Sequence, residues 1–201
     1  MTRPALVPAA LLAALLALGA GPAAAAQQVR IETSLGTITL ALDAQHAPAS
    51  VANFIRYVKG GHYDKTTFYR VVPGFVIQAG SIDADGNGRP TKAPIKLESG
   101  NGLMNVRGAV AMARSGDPNS AAAEFFIDLA DNAALDAHPG DAPGTTGYAV
   151  FGHVSDGMDV VDKIAAVQLG GSKGPFAPDA APATPVIINK MTVTGEASAA
   201  H

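Results

Sequence analysis

The chain has 201 residues, of which 48% are hydrophobic, a formal net charge of −3 and no cysteine. This length supports one domain whose stability must come from packing, because disulfides and thiol chemistry are excluded. The slight acidity and the lack of a basic run argue against nucleic-acid and membrane-surface partners.

The first 26 residues predict a signal peptide. Arg3 gives a positive start, residues 5–18 form an apolar run, and small residues precede Gln27 in a cleavage pattern. The run is too short to span a bilayer comfortably, although an uncleaved N-terminal anchor is the alternative. We therefore expect export, no membrane attachment after cleavage at Ala26, a folded domain over residues 27–195 and a flexible tail over 196–201.

The first elements are predicted from their hydrophobic periods. Alternation predicts strands over residues 29–33 and 37–42, joined by a hairpin loop that contains Gly36. The period then changes, and Pro48 opens a stretch with apolar residues at i, i+3, i+4 and i+7, which predicts a helix that ends before Gly60.

Residues 68–80 predict a strand, a tight turn at Pro73-Gly74 and a second strand. Arg70 is the cation in this stretch and has no acid beside it in sequence. Strand alternation places Arg70 and Val72 on one face and Val71 on the other.

The loop that follows contains half of a calcium-binding motif. Residues 83–88 alternate oxygen ligands before a turn glycine, but the twelfth position holds Pro94 instead of a bidentate glutamate. A solvated turn is therefore the favoured interpretation.

The rest of the chain adds further short strands and one helix. Strands are predicted over residues 108–114, 124–129, 148–154 and 186–193, and a helix over 156–167 with Asp156 as its N-cap. Many short strands with two helices favour a mainly β barrel or sandwich, and periodicity alone does not choose between them.

The pattern Phe-x-Arg-Val-x-Pro-Gly-Phe-x-x-Gln over residues 68–78, followed by Phe-Phe-Ile over 125–127, resembles the cyclophilin-type peptidyl-prolyl isomerases. The resemblance covers residues 29–194. It implies a closed eight-stranded antiparallel β-barrel capped by two α-helices. With the signal segment, the chain looks most like the exported bacterial members, which implies a periplasmic location, and we expect a monomer.

The resemblance implies an enzyme that accelerates Xaa-Pro isomerisation in proline-containing unfolded or partly folded polypeptides, without metal or cofactor. Arg70 would be the catalytic donor to the prolyl nitrogen. The residues expected to bind substrate are Phe75, Val76, Gln78, Ala113, Arg114, Glu124, Phe126, Leu135 and Tyr148.

Three positions depart from the family pattern. Val76 replaces a usual methionine and should make the pocket shallower. Glu124 replaces a usual glutamine, and we expect its carboxylate to lie near Arg70, where it would both position the guanidinium and compete with the prolyl nitrogen for its donors. Ala134 stands where relatives carry tryptophan or phenylalanine, so weak or no binding of cyclosporin A is expected.

Other chemistries fail for lack of the residues they need. The five histidines are scattered without metal-ligand spacing, and no nucleophile elbow or phosphate-binding loop is present. The alternative to an enzyme is a non-catalytic module that grips proline-containing segments on the same fold. Glu124 is the main argument for that alternative.

Overall fold

A computed structural model describes residues 27–142 and 144–195 of the chain. The predicted signal peptide over residues 1–26 and the predicted tail over 196–201 lie outside the described residues.

The fold is mainly β. The strands are β1 (Gln28–Thr33), β2 (Gly36–Leu42), β3 (Arg70–Val72), β4 (Val76–Ala79), β5 (Ala109–Met112), β6 (Phe125–Asp128), β7 (Val150–Asp156) and β8 (Ile188–Thr194). The helices are α1 (Pro48–Lys59) and α2 (Met158–Ala165), with a short 3-10 helix at Ala133–Leu135. The strands form one antiparallel sheet in the order β3-β4-β6-β5-β7-β2-β1-β8.

The sheet curls so that its two edge strands approach one another. The regular ladder is open between β3 and β8, but the segments just before these strands meet in a single bridge between Thr67 and Ile187. The backbone N–H of Phe68 also donates to the carbonyl of Val186 at 2.9 Å. The predicted eight antiparallel strands and two helices are confirmed, whereas closure rests on isolated contacts because β3 has only three residues.

The core lies inside the curled sheet. Inward residues of the strands pack with Val51, Phe54 and Val58 of α1 and with Val161 and Ile164 of α2. The ring of Phe54 lies 5.0–5.3 Å from three other aromatic rings, from Tyr63, Phe125 and Phe151. Such tilted and edge-on contacts add to the free energy gained by burying these rings, so Phe54 helps to fix α1 to the sheet.

A carboxylate from a distant loop holds the first turn of α1. No side chain caps the helix from Ala47, but Glu98 accepts the backbone N–H groups of Ala49 and Ser50 at 2.9 and 2.7 Å. The negative charge also complements the positive end of the helix dipole.

The N-cap of α2 differs from the prediction. Asp156 is the last residue of β7, and the cap is Gly157, with φ of 88°. A Cβ at this position would collide with the carbonyl of Thr37. A left-handed, closely packed position of this kind favours glycine, and a polar N-cap pattern does not reveal it.

Strands β4, β5 and β6 are buried on both faces. Their inward residues join the main core, while Val76, Ala109, Ala111 and Phe126 form a second apolar cluster outside the sheet. The outer face of these three strands is therefore covered by further side chains, and this is where a site can form.

Among residues 27–142 and 144–195, no helix has the length and apolar character needed to cross a membrane.

Asp128 ends β6 with no exposed surface. Its Oδ1 accepts a hydrogen bond from Asn132 at 2.7 Å, but its Oδ2 has no protein partner. Burial raises the pKa of Asp128 to about 7, against the hydrogen bond from Asn132 and with a further contribution from Asp136. The carboxyl group is thus more easily buried neutral than charged.

We expect Asp128→Asn to stabilise the protein at alkaline pH. The folded-state pKa lies above that of the unfolded chain, so the stability from protonated Asp128 is complete below about pH 4 and is lost as the pH rises through the folded-state value. The variant should gain about 2–4 kcal/mol over wild type at pH 8 and much less near pH 4. Urea unfolding from pH 4 to pH 8 measures this, with exposed Asp156→Asn as the control. A stability gain that does not change with pH would contradict it.

Candidate active site

The pairing of the strands aligns four residues in one row, and three of them are predicted site residues. Arg70 pairs with Gln78, Gln78 with Phe126, and Phe126 with Ala111. Directly opposite residues of antiparallel strands project to the same face, and here that face is the outer one. We call these four residues the outer row.

Arg70, Gln78 and Phe126 of the outer row border a cavity that opens to solvent. Its lining residues are Arg70, Phe75, Val76, Gln78, Ala113, Arg114, Phe126, Leu135, Tyr148 and Phe176.

Apolar side chains form the floor and one wall. Val76 and Phe126 are almost fully buried beneath the cavity. The 3-10 helix brings in Leu135, whose carbonyl accepts the N–H of Tyr148 at 2.9 Å. The rings of Phe126 and Tyr148 meet edge to face at 5.5 Å, so the wall is continuous.

Gly147 allows the loop before Tyr148 to close tightly. Its φ is 70°, and a Cβ there would collide with the backbone of Asp136 and Ala137. Only glycine fits this approach without strain, so Gly147 helps to place both Leu135 and Tyr148 at the cavity.

The rim beside Tyr148 carries a second cation. Arg114 donates from Nε to the carbonyl of Gly147 at 2.9 Å, and its Cζ lies 4.9 Å from the centre of the Tyr148 ring. Its guanidinium is thus committed to the rim. The neighbouring Ala113 N–H donates to the backbone carbonyl of Glu124, so Ala113 has only its carbonyl to offer a ligand.

Arg70 is held from two directions. Its Nη1 donates to Oε1 of Gln78 at 2.9 Å, and its Cζ lies 4.9 Å from the centre of the Phe176 ring. Phe176 also stacks on Tyr69, with ring centres 6.0 Å apart and planes inclined by 16°. The guanidinium therefore has an in-plane hydrogen bond and an aromatic face against it.

The expectation that Glu124 itself contacts the guanidinium, positions it and competes for its donors is wrong, because its carboxylate oxygens bond to other groups. Oε2 of Glu124 accepts the hydroxyl of Tyr69 at 2.7 Å, and Oε1 accepts the N–H of Ser81 at 2.7 Å. The carboxylate is connected to Arg70 through hydrogen bonds by way of Tyr69 and Gln78. It lies beside a neighbouring cavity that also borders Gln78, Ala113 and Arg114. Burial raises the pKa of Glu124, although both hydrogen bonds oppose the change.

The structure brings the predicted site residues together. Nine of them line the main cavity, and Glu124 lines the neighbouring one. Sequence reasoning missed Tyr69 and Phe176. Tyr69 lies beside Arg70 inside the recognised pattern and could have been weighed, whereas Phe176 lies in a Gly- and Pro-rich stretch whose only signal is an isolated aromatic residue.

The predicted half calcium motif folds as a turn. Oδ1 of Asp83 accepts the N–H groups of Asp85 and Asn87, both at 2.9 Å. In the part of the chain that the structure describes, no three His, Cys, Asp or Glu side chains cluster as metal ligands would.

Comparison with known proteins identifies the family of this fold and cavity. Residues 28–193 match the family model described as cyclophilin type peptidyl-prolyl cis-trans isomerase/CLD. The chain belongs to this family.

Curated bacterial relatives agree over nearly the whole domain. The chain is 46% identical to peptidyl-prolyl cis-trans isomerase cyp18 of Streptomyces antibioticus over 83% of this chain and 98% of the relative. It is 46% identical to isomerase A of Dickeya dadantii, over 82% and 83%. Isomerase B of Escherichia coli is 43% identical, over 83% and 99%.

A solved structure supports the fold independently. A cyclophilin type isomerase of Cryptosporidium parvum, crystallised in the presence of the dipeptide Ala-Pro, superposes with a TM-score of 0.66 at 24% identity. It covers 84% of this chain and 99% of that one. The cyclophilin-type resemblance and the prediction of an isomerase are therefore confirmed, and the non-catalytic alternative gains no support.

Proposed function

We propose that this cyclophilin-type isomerase acts on Xaa-Pro bonds through Arg70. Rotation about a peptide bond faces a barrier of about 18–20 kcal/mol, because resonance stiffens the C–N bond. In the twisted transition state the prolyl nitrogen regains its lone pair and can accept a hydrogen bond. A donor fixed beside that nitrogen then stabilises the transition state more than the planar ground state.

The position of Arg70 in the outer row is the observation that carries this proposal. A guanidinium has five N–H donors, and among the described residues one hydrogen bond, to Gln78, occupies them. Arg70 borders the same cavity as the apolar side chains of Phe75, Phe126 and Leu135. These would hold the proline ring while the rest of the peptide turns.

Main-chain contacts to the substrate complete the proposed site. Gln78, with the carbonyl of Ala113 and the rim at Arg114, would hold the peptide on the side away from Leu135. Val76 and Tyr148 would complete the apolar walls. No metal or cofactor is needed, because the reaction breaks no bond.

We expect Arg70→Ala to lower kcat/KM by about 100-fold or more, by analogy with the loss of one preorganised transition-state donor. Arg70 is only half-buried at an open cavity, so the variant should fold. A protease-coupled assay on a proline tetrapeptide measures the rate, and thermal unfolding checks the fold. Arg70→Lys should recover part of the rate, because it keeps the charge but loses the planar donor set. Wild-type turnover by a folded Arg70→Ala protein would remove Arg70 from this role.

We also propose that the enzyme works in the periplasm, on proteins that fold after export. Arg3, the apolar run and the small residues before Gln27 support this. Expression of the full chain in a Gram-negative bacterium should give a periplasmic protein that begins at Gln27, by fractionation and mass spectrometry. Leu15→Arg should block export, because a charge interrupts the apolar run. Cytoplasmic protein that retains residues 1–26 would refute the proposal. Light scattering on the same preparation tests the expected monomer.

Cyclosporin A should bind weakly. Ala134 is exposed on the 3-10 helix that carries Leu135 to the cavity. An aromatic residue there would bury roughly 100 Å² against an inhibitor, worth about 2–3 kcal/mol. Ala134→Trp should therefore tighten binding about 100-fold with little change in turnover, whereas exposed Ala133→Trp serves as the matched control. Equally tight binding by wild type and Ala134→Trp would mean that Ala134 does not face the groove.

A further inference from the structure

Three consecutive hydrogen bonds connect Arg70 to Glu124. Arg70 donates from Nη1 to Oε1 of Gln78 at 2.9 Å, and Gln78 donates from Nε2 to the hydroxyl oxygen of Tyr69 at 2.6 Å. The Tyr69 hydroxyl donates to Oε2 of Glu124 at 2.7 Å. Tyr69 and Gln78 are both buried, with 7% and 8% exposure, so water competes little for these bonds. We call this chain of bonds the relay.

The chemistry of its two ends gives the relay one direction. A guanidinium can only donate and a carboxylate can only accept. Tyr69 must therefore point its hydrogen at Glu124, which leaves its oxygen for the Gln78 amide N–H. Gln78 is then forced to present its oxygen, and not its NH₂ group, to Arg70.

The Glu124 end is anchored to the backbone. Oε1 accepts the Ser81 N–H, and the carboxylate lies so close to Gly80 that a Cβ there would collide with it. Glu124 thus occupies a fitted position beside the end of β4. Its two oxygens meet two donors, Ser81 N–H and Tyr69 O–H, and both of these require an acceptor.

We propose that Glu124 is a positioning residue for the isomerase reaction, acting through Tyr69 and Gln78 to fix the acceptor that holds the Arg70 guanidinium. This rests on the proposed role of Arg70. Glu124 then assists catalysis instead of competing with the prolyl nitrogen, since its charge lies two side chains away from the guanidinium.

A glutamine at position 124 cannot serve both donors. Its oxygen can accept from either Ser81 or Tyr69, and its NH₂ group then faces the other one. If the NH₂ group faces Tyr69, the hydroxyl must turn toward Gln78, and the rotated Gln78 amide places N–H against Arg70. The arrangement with the NH₂ group facing Tyr69 loses the hydrogen bond between Gln78 and Arg70, whereas the one with the NH₂ group facing Ser81 loses the hydrogen bond from the Ser81 N–H.

We expect Glu124→Gln and Tyr69→Phe each to lower kcat/KM about tenfold, on the scale of one lost buried hydrogen bond. The fall should lie in kcat more than in KM, because the proline walls are unchanged. Tyr69→Phe keeps the ring that stacks on Phe176 and removes only the oxygen, so it carries the test even if Glu124→Gln folds poorly.

Combined variants distinguish a positioning role for Glu124 and Tyr69 from a simple loss of protein stability. The double variant Tyr69→Phe/Glu124→Gln should be no slower than the slower single variant, because both interrupt one relay. In an Arg70→Ala background neither change should lower the residual rate further, since there is no guanidinium left to position. Multiplying effects, or effects that persist without Arg70, would overturn the proposal.

Matched controls come from a similar carboxylate and a similar tyrosine elsewhere. Glu98 accepts two backbone N–H groups at α1, and the buried Tyr57 hydroxyl accepts the N–H of Lys92 at 2.6 Å. Glu98→Gln and Tyr57→Phe should lower the melting temperature and leave kcat/KM within about twofold. A tenfold loss in these variants would show that general destabilisation lowers the rate, which would also refute the relay.

The pH profile gives an independent readout. When Glu124 is protonated, it carries an O–H donor and no longer only accepts hydrogen bonds, so it no longer sets the direction of the relay. We therefore expect kcat/KM to fall as the pH is lowered through the pKa of Glu124. Its pKa is raised by burial, and the ionisable groups around it are Tyr63, Tyr69, Arg114 and, through Ser81, His62. Glu124→Gln keeps all of these, so the acidic limb should disappear in that variant, and also in Tyr69→Phe, which disconnects Glu124 from Gln78. Coincident profiles would contradict the proposal. Wild-type turnover by Arg70→Ala would instead refute the proposed function, and the relay would then have no role in catalysis.

Discussion

The register of β3, β4, β6 and β5 is the constraint on which both core and site depend. It aligns Arg70, Gln78, Phe126 and Ala111 on the outer face, while Val71, Ile77 and Ile127 enter the core from the same strands. Because side chains alternate, a slip of one residue would exchange the two sets. It would place the Arg70 guanidinium in the core and the valine and isoleucine side chains on the outer face. Packing therefore fixes which residues face the site, and the contacts with Gln78 and Phe176 then orient the Arg70 guanidinium.

This arrangement explains how a cation can sit beside an apolar pocket without a direct ion pair. In the proposed mechanism, a carboxylate bonded to Arg70 would occupy the donors that a twisted peptide needs and would add negative charge next to the prolyl nitrogen. Gln78 and Tyr69 instead hold the guanidinium with neutral groups and leave the charge of Glu124 farther away. Phe176 supports the flat face of the guanidinium, where it takes up no N–H donor.

Most strands and helices could be predicted from the spacing of apolar residues, because that spacing follows which side chains are buried. The alternating runs of β1 and β2 and the apolar stripe of α1 appear close to where they were expected. Features set by contacts between distant segments were not predictable. The cap at Gly157 depends on the backbone of Thr37, and the stacking of Phe176 on Tyr69 joins a loop to a strand end. Pattern recognition placed Glu124 near the pocket, but its partners follow from three-dimensional proximity to Ser81 and Tyr69.

Two carboxyl groups near Phe126, at β6, differ in ionisation because their hydrogen-bond partners differ. Alternation puts Glu124 and Asp128 on either side of Phe126, the floor of the cavity. Glu124 has a donor for each oxygen, so its ionised form is supported despite burial, whereas Asp128 has an oxygen with no partner and a pKa of about 7. Lower pH therefore favours folding through Asp128 but weakens the relay through Glu124. Protonation of these two neighbouring carboxyl groups therefore has opposite consequences, one for the stability of the fold and one for the relay.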